Sequence, residues 1–159
     1  MSKRKKIAIL LLLLAGVNVA FIWGNSLLPR EVSSALSKMV GTILDWFMPG
    51  SATTSQGEGQ GILRKIAHFT EFCSLGFLMC TITFLLQSKK WIPCVIPCGI
   101  GVAVAVIDET IQMFVPGRGP QLRDVGIDSL GVVLGIAFAF LLAWLWRKKC
   151  KGQEKHSPL

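Results

Sequence analysis

The chain alternates between long apolar runs and short polar connections. Ile7 to Gly24 carries no charge over 18 residues. At a helical rise of about 1.5 Å per residue, that reaches the lower limit for crossing a hydrocarbon core of roughly 30 Å. Three further runs, about 62–87, 91–115 and 124–146, are longer still, and the pattern predicts four transmembrane helices. A basic opening followed by an apolar run is also how a signal peptide begins. No small-x-small cleavage site follows cleanly, however, and the run exceeds a usual signal core, so an uncleaved anchor is expected. Residues 25–61 form the expected outer loop. Within it Val32, Leu36, Met39, Val40, Ile43, Leu44 and Phe47 recur at helical spacing, which predicts an amphipathic helix lying in the membrane interface. Residues 50–61, rich in Gly, Ser and Thr, have the composition of a flexible linker. The connections at Ser88–Lys90 and Pro116–Arg123 are short, so helices two to four should pack as antiparallel neighbours. The expected fold class is all-α: one polytopic membrane domain over residues 1–159, with an extracytoplasmic amphipathic segment between helices one and two.

Composition agrees, since 52% hydrophobic residues and a mean hydropathy of +0.56 in 159 residues are too apolar for an ordinary soluble domain. The net charge of +8 does not point to nucleic acid, because the basic residues cluster beside apolar runs. There they answer to membrane orientation and anionic lipid. Lys3–Lys6, Lys89 and Lys90, and Arg147 to Lys155 all fall on one side of a four-helix path, which makes that side, with both termini, cytoplasmic. Arg64, Lys65, Arg118 and Arg123 then lie on the face where positive charge is not expected. The five cysteines sit in or beside apolar helices and read as packing residues rather than a disulfide framework. Cys94 and Cys98 have no second pair or nearby histidine to complete a zinc site.

Ionisable residues inside spanning helices are costly and are functional candidates by default. Helix two carries Arg64, Lys65, His68 and Glu71; helix three carries Asp108, Glu109 and Gln112; helix four opens with Asp124 and Asp128. The helical rise places His68 and Glu71 roughly 9–14 Å, Asp108 and Gln112 roughly 5–11 Å, and Asp128 about 6 Å from the outer ends of their helices. Three helices thus offer polar groups at one depth, while their cytoplasmic halves carry none. Residues three or four apart share a face, so Arg64, His68 and Glu71 align, as do Asp108 and Gln112, and Asp124, Asp128, Gly131 and Gly135. The two glycines form a GxxxG step that lets another helix approach closely.

For any single residue, a buried network that fixes helix register is an adequate reading. For the whole set, a site opening to the outer leaflet is the sharper one. His68 or Glu71 as general base and a desolvated carboxylate such as Asp108 or Glu109 as acid form a catalytic hypothesis. Arg64, Arg118 and Arg123, with Gln112, Asp124 and Asp128, form a ligand-binding one. Ser74 and Ser129 lie nearby, but no GxSxG elbow or triad spacing appears. One histidine among carboxylates is a weak signal for a divalent ion, so no metal is assigned and any cofactor is left open.

Three strings, RKIAHFTEF (64–72), DETIQMFVPGR (108–118) and RDVGIDSLGVVLG (123–135), together resemble the VanZ-like family of bacterial membrane proteins. They cover roughly half of the chain. The resemblance implies a cell-membrane protein, mostly of Gram-positive bacteria, in a family whose founding member is associated with resistance to the glycopeptide teicoplanin and for which no reaction is established. It also implies that His68, Glu71, Asp108, Glu109, Gln112, Arg118, Asp124 and Asp128 are the site residues. Two positions depart from the family pattern. Phe72 stands where tyrosine is expected, which removes a hydroxyl, and Asp128 stands where asparagine is frequent, which adds an acid.

Three functions follow as expectations. The first is an outer-facing pocket for a lipid-linked cell-wall precursor, a glycopeptide or another anionic envelope molecule. The second is a hydrolase or transferase acting on a lipid head group. The third is a small transporter or assembly partner in an oligomer, disfavoured by the apolar inner half and by the lack of inverted repeats or broken helices.

Overall fold

The computed structural model describes residues 2–47, 58–86, 92–118 and 121–154. The expected turn at Ser88–Lys90, most of the Gly/Ser-rich stretch and the basic Lys155 lie outside these residues. Among these residues five helices follow one another: α1 (Lys3–Leu27), α2 (Arg30–Phe47), α3 (Glu58–Leu86), α4 (Ile92–Met113) and α5 (Leu122–Glu154). Four of them, α1, α3, α4 and α5, are long and apolar enough to cross a membrane. α2 has the strongest amphipathic character of the five, as its repeating apolar positions predict.

The helices run beyond the apolar runs at several ends, for local reasons. Ser2 caps α1 by accepting from the Lys5 amide. At the other end Asn25 and Ser26, expected in the loop, belong to the last turn of α1. The helix stops only where Pro29 disfavours a helical Leu28, which is extended at φ −71° and ψ 133°. α5 continues into its basic tail, where Lys148 lies 4.5 Å from the ring centre of Trp144. This aromatic and basic pairing suits a membrane interface.

α3 is the hub, packing against α1, α2, α4 and α5, and its pairing with α5 is the most extensive in the bundle. Small residues explain that closeness. A Cβ added at Gly131 would stand 2.7 Å from the Phe69 carbonyl oxygen, one at Gly135 would meet the Cys73 carbonyl, and one at Gly76 would meet the backbone of Val132. The predicted GxxxG step therefore faces α3, which supplies a small residue of its own. Around this contact Phe72, Leu75, Cys80, Val104, Ala105, Val132 and Ile136 form the core with Ala15 and Ile22 of α1. The outward faces, including Leu13, Val17, Phe138 and Leu141, stay exposed, as lipid contact requires.

Candidate functional site

Apart from Thr83 near the far end of α3, the buried polar residues among those described gather at the end where α1 finishes and α3 begins. Ser26, Asp108, Glu109, Gln112 and Asp128 are all buried there, and Asp108 is wholly enclosed. The α3–α5 contact brings Asp128 towards α3, and the Phe114–Arg118 turn, with Gly117 at φ 76°, reverses the chain after α4. One ligand atom each from His68, Asp108 and Asp128 can be chosen so that all three lie within 4.8 Å of one another. Three spanning helices thus meet at the depth that their spacing predicts.

Supporting contacts hold each group. Gln112 Nε2 donates to Asp108 Oδ2 at 2.8 Å and to Ser26 Oγ at 3.2 Å. Asn25 Nδ2 donates to Glu71 Oε1 at 2.9 Å. The other carboxylate oxygen of Glu71 lies 3.8 Å from His68 Nδ1, a carboxylate–imidazole pairing that can orient the ring. Glu109 Oε2 accepts from the Gln121 amide at 3.0 Å, at the positive end of the α5 dipole. Lys65 pairs with Asp124 at 3.4 Å. Ser74, which lacks a nucleophile's frame, donates to the Glu71 carbonyl and accepts from Asn18.

The arginines divide. Arg64 lines both cavities at this end. Arg118 instead donates to the carbonyls of Ser26 and Asn25, each at 3.3 Å, where it satisfies α1's last turn and meets the negative end of its dipole. Burial and the neighbouring Arg64 charge lower the affinity of the Arg118 guanidinium for its proton, though an arginine remains charged. Arg123 is exposed. Neither Arg118 nor Arg123 lines either of these two cavities.

The two cavities differ in size and chemistry. The smaller, about 10 Å³, is lined by Arg64, Lys65, His68, Glu109, Gln112, Asp124, Ile127 and Asp128. That is room for about one water or ion. The larger, about 460 Å³, lies between α1, α2 and α3. Its walls are mostly apolar (Phe21, Leu28, Leu36, Val40, Leu63 and Ile66), and it reaches Asn25, Arg64, His68 and Glu71. Only His68 and Arg64 belong to both.

Asn25, Ser26 and Asn18 are the participants that the residue pattern did not single out as site residues. Asn25 and Ser26 follow directly on an apolar run, where polar residues read as the start of a loop, and only their packing on α3 and α4 reveals them.

Taken together, four spanning helices, a half-covering amphipathic helix and a buried polar cluster at one end define a small polytopic membrane protein with a one-sided polar site. The family model described as VanZ/LLP1 matches residues 7–145, nearly the whole chain, and the protein belongs to the VanZ-like family. No curated protein and no solved structure matches the chain.

Proposed function

We propose that this VanZ-like protein binds an amphipathic cell-envelope molecule, lipid-linked and with an anionic head, at the outer face of the membrane, and that it thereby alters susceptibility to glycopeptides such as teicoplanin. The observation that carries this reading is the larger cavity, whose apolar walls end at Arg64, His68, Glu71 and Asn25. An acyl or prenyl chain would lie along α1, α2 and α3, and its head would meet the polar end. The outer placement is supported by the basic residues at Lys3–Lys6 and in the last turns of α5, which favour the cytoplasm for the opposite end.

A second reading, hydrolysis or group transfer on that head group, is favoured by the His68–Glu71 pair, which has the arrangement of an oriented general base. Product formation from envelope lipids that is lost in His68→Ala would support it, and absence of turnover across such lipids would remove it.

Native mass spectrometry of protein released gently from membranes tests the binding reading. Wild type should carry a discrete envelope lipid, Ala67→Trp should lose it by filling the cavity, and Arg64→Ala should weaken it. Wild type without lipid, or Ala67→Trp with undiminished lipid, would overturn the proposal.

A further inference from the structure

We infer that His68, Asp108 and Asp128 form a binding site for one divalent transition-metal ion of the Zn²⁺ or Mn²⁺ kind, supported by Glu71 and Gln112. The three side chains come from three different helices, and their ligand atoms converge within 4.8 Å of one another without a hydrogen bond or ion pair joining them. Ligand atoms about 2.1 Å from a tetrahedral ion stand about 3.4 Å apart, so the set needs to close by at most about 1.4 Å from its 4.8 Å spread, within reach of side-chain rotations. One imidazole with two carboxylates is a borderline donor set, suited to zinc or manganese rather than to soft-ligand ions.

Independent features point to a ligand here. Asp108 is fully buried, one of its oxygens is engaged by Gln112, and the other, Oδ1, is buried with no hydrogen-bond partner. Asp128 is 3% exposed and makes no hydrogen bond among the described residues. Two buried carboxylates this close repel one another, and burial penalises each charge unless a cation or a bound proton compensates. The nearby cationic side chains supply it only in part: Lys65 is held by Asp124, Arg118 acts on Asp108 through space while two of its nitrogens bond the carbonyls of α1, and Arg64 forms no ion pair among the described residues. The adjoining cavity, lined in part by His68 and Asp128, is ion-sized rather than molecule-sized.

The surroundings are those of a held ligand set. Glu71 Oε2 stands 3.8 Å from His68 Nδ1, beyond hydrogen-bond distance, so it acts on the ring by charge and leaves a ring nitrogen free for an ion. Asn25 fixes Glu71 and Gln112 fixes Asp108, the outer-shell support that orients metal ligands. Three protein ligands leave a coordination position open. His68 also borders the larger cavity, which places that position within reach of an anionic head group.

The test uses full-length protein in detergent, stripped of lipid, so its outcome is separate from that of the lipid proposal. The protein is treated with chelator, dialysed against Zn²⁺ or Mn²⁺, passed through gel filtration and assayed for metal by mass spectrometry. Wild type should retain about one ion per chain. Asp128→Asn and Asp108→Asn should each weaken affinity by tenfold or more, while Lys148→Ala, beside Trp144 at the far end of α5, should bind as wild type does. Co²⁺ loaded into wild type should show visible bands of a nitrogen and oxygen site. Wild type without metal, equal retention by both aspartate variants, or a thiolate charge-transfer band that places the ion on cysteine would overturn the inference. Should the variants fail to fold, the wild-type stoichiometry and the Co²⁺ spectrum still decide it.

Discussion

At one end of the bundle Asp108, Glu109, Gln112, Asp128 and Ser26 are buried, and most of the hydrogen bonds there cross between elements: Asn25 to Glu71, Gln112 to Ser26, Arg118 to two carbonyls of α1, and the Gln121 amide to Glu109. In the other half, Thr81 and Thr83 return their hydroxyls to carbonyls of their own helix, and α3, α4 and α5 carry no acidic, basic or histidine side chain between Ser74 and Leu86, Pro93 and Ile107, or Ser129 and Trp146. The apolar half is held by shape, through small residues and interdigitated core side chains. The polar half depends on named partners. Polar groups spread along the whole bundle would suit a transport path, whereas confinement to one end suits a site that opens to one side.

Changes to shape should have the largest effect. Gly135→Val places a branched side chain against the Cys73 backbone and should cost about 3 kcal/mol, read as a lower midpoint for thermal unfolding in detergent. Gly99→Ala, where an added Cβ meets nothing within 4 Å, should be neutral or slightly stabilising. Equal effects at the two glycines would remove the close α3–α5 contact from the account.

Next in size is the loss of a partner at the polar end. Gln112→Leu strips donors from Asp108 and Ser26 and should cost about 1–2 kcal/mol by the same measurement, since buried acceptors are left unpaired. The smallest effect belongs to the apolar half. Thr83→Val removes a hydroxyl bonded only within its own helix and should shift stability by about 0.5 kcal/mol or less. A Thr83 effect that matched Gln112 would erase the distinction between the two ends.

Much of this contrast could be read in the amino-acid sequence. Apolar length marks the spanning helices, helical spacing marks α2, and the positions of His68, Asp108 and Asp128 along their helices place them at one depth. Gly131 and Gly135 announce a close contact, although Gly76 on the opposing helix does not announce itself. What the pattern misses depends on tertiary partners. Asn25 and Ser26 look like loop residues until Glu71, Gln112 and Arg118 are seen to use them. Arg118, read as a grip for an anion, has two of its nitrogens on the end of α1, because the turn after α4 delivers it to the last carbonyls of that helix, of which Asn25's also accepts from the Leu28 amide. The cavity under α2 is formed by three helices, and no local pattern encodes it. Phe72, where a hydroxyl was expected, is fully buried in the core, where a phenol would need a buried hydrogen-bond partner.

Site-specific photocrosslinking tests the contrast between the two regions most directly. A diazirine side chain at Val40, on the cavity wall, is compared in intact membranes with one at Leu141, on the exposed face of α5 in the apolar half. The account predicts one discrete envelope-lipid adduct at Val40, reduced by Arg64→Ala, and only bulk phospholipid at Leu141. Identical bulk-lipid adducts at both positions would contradict it and leave the polar end as a structural network alone.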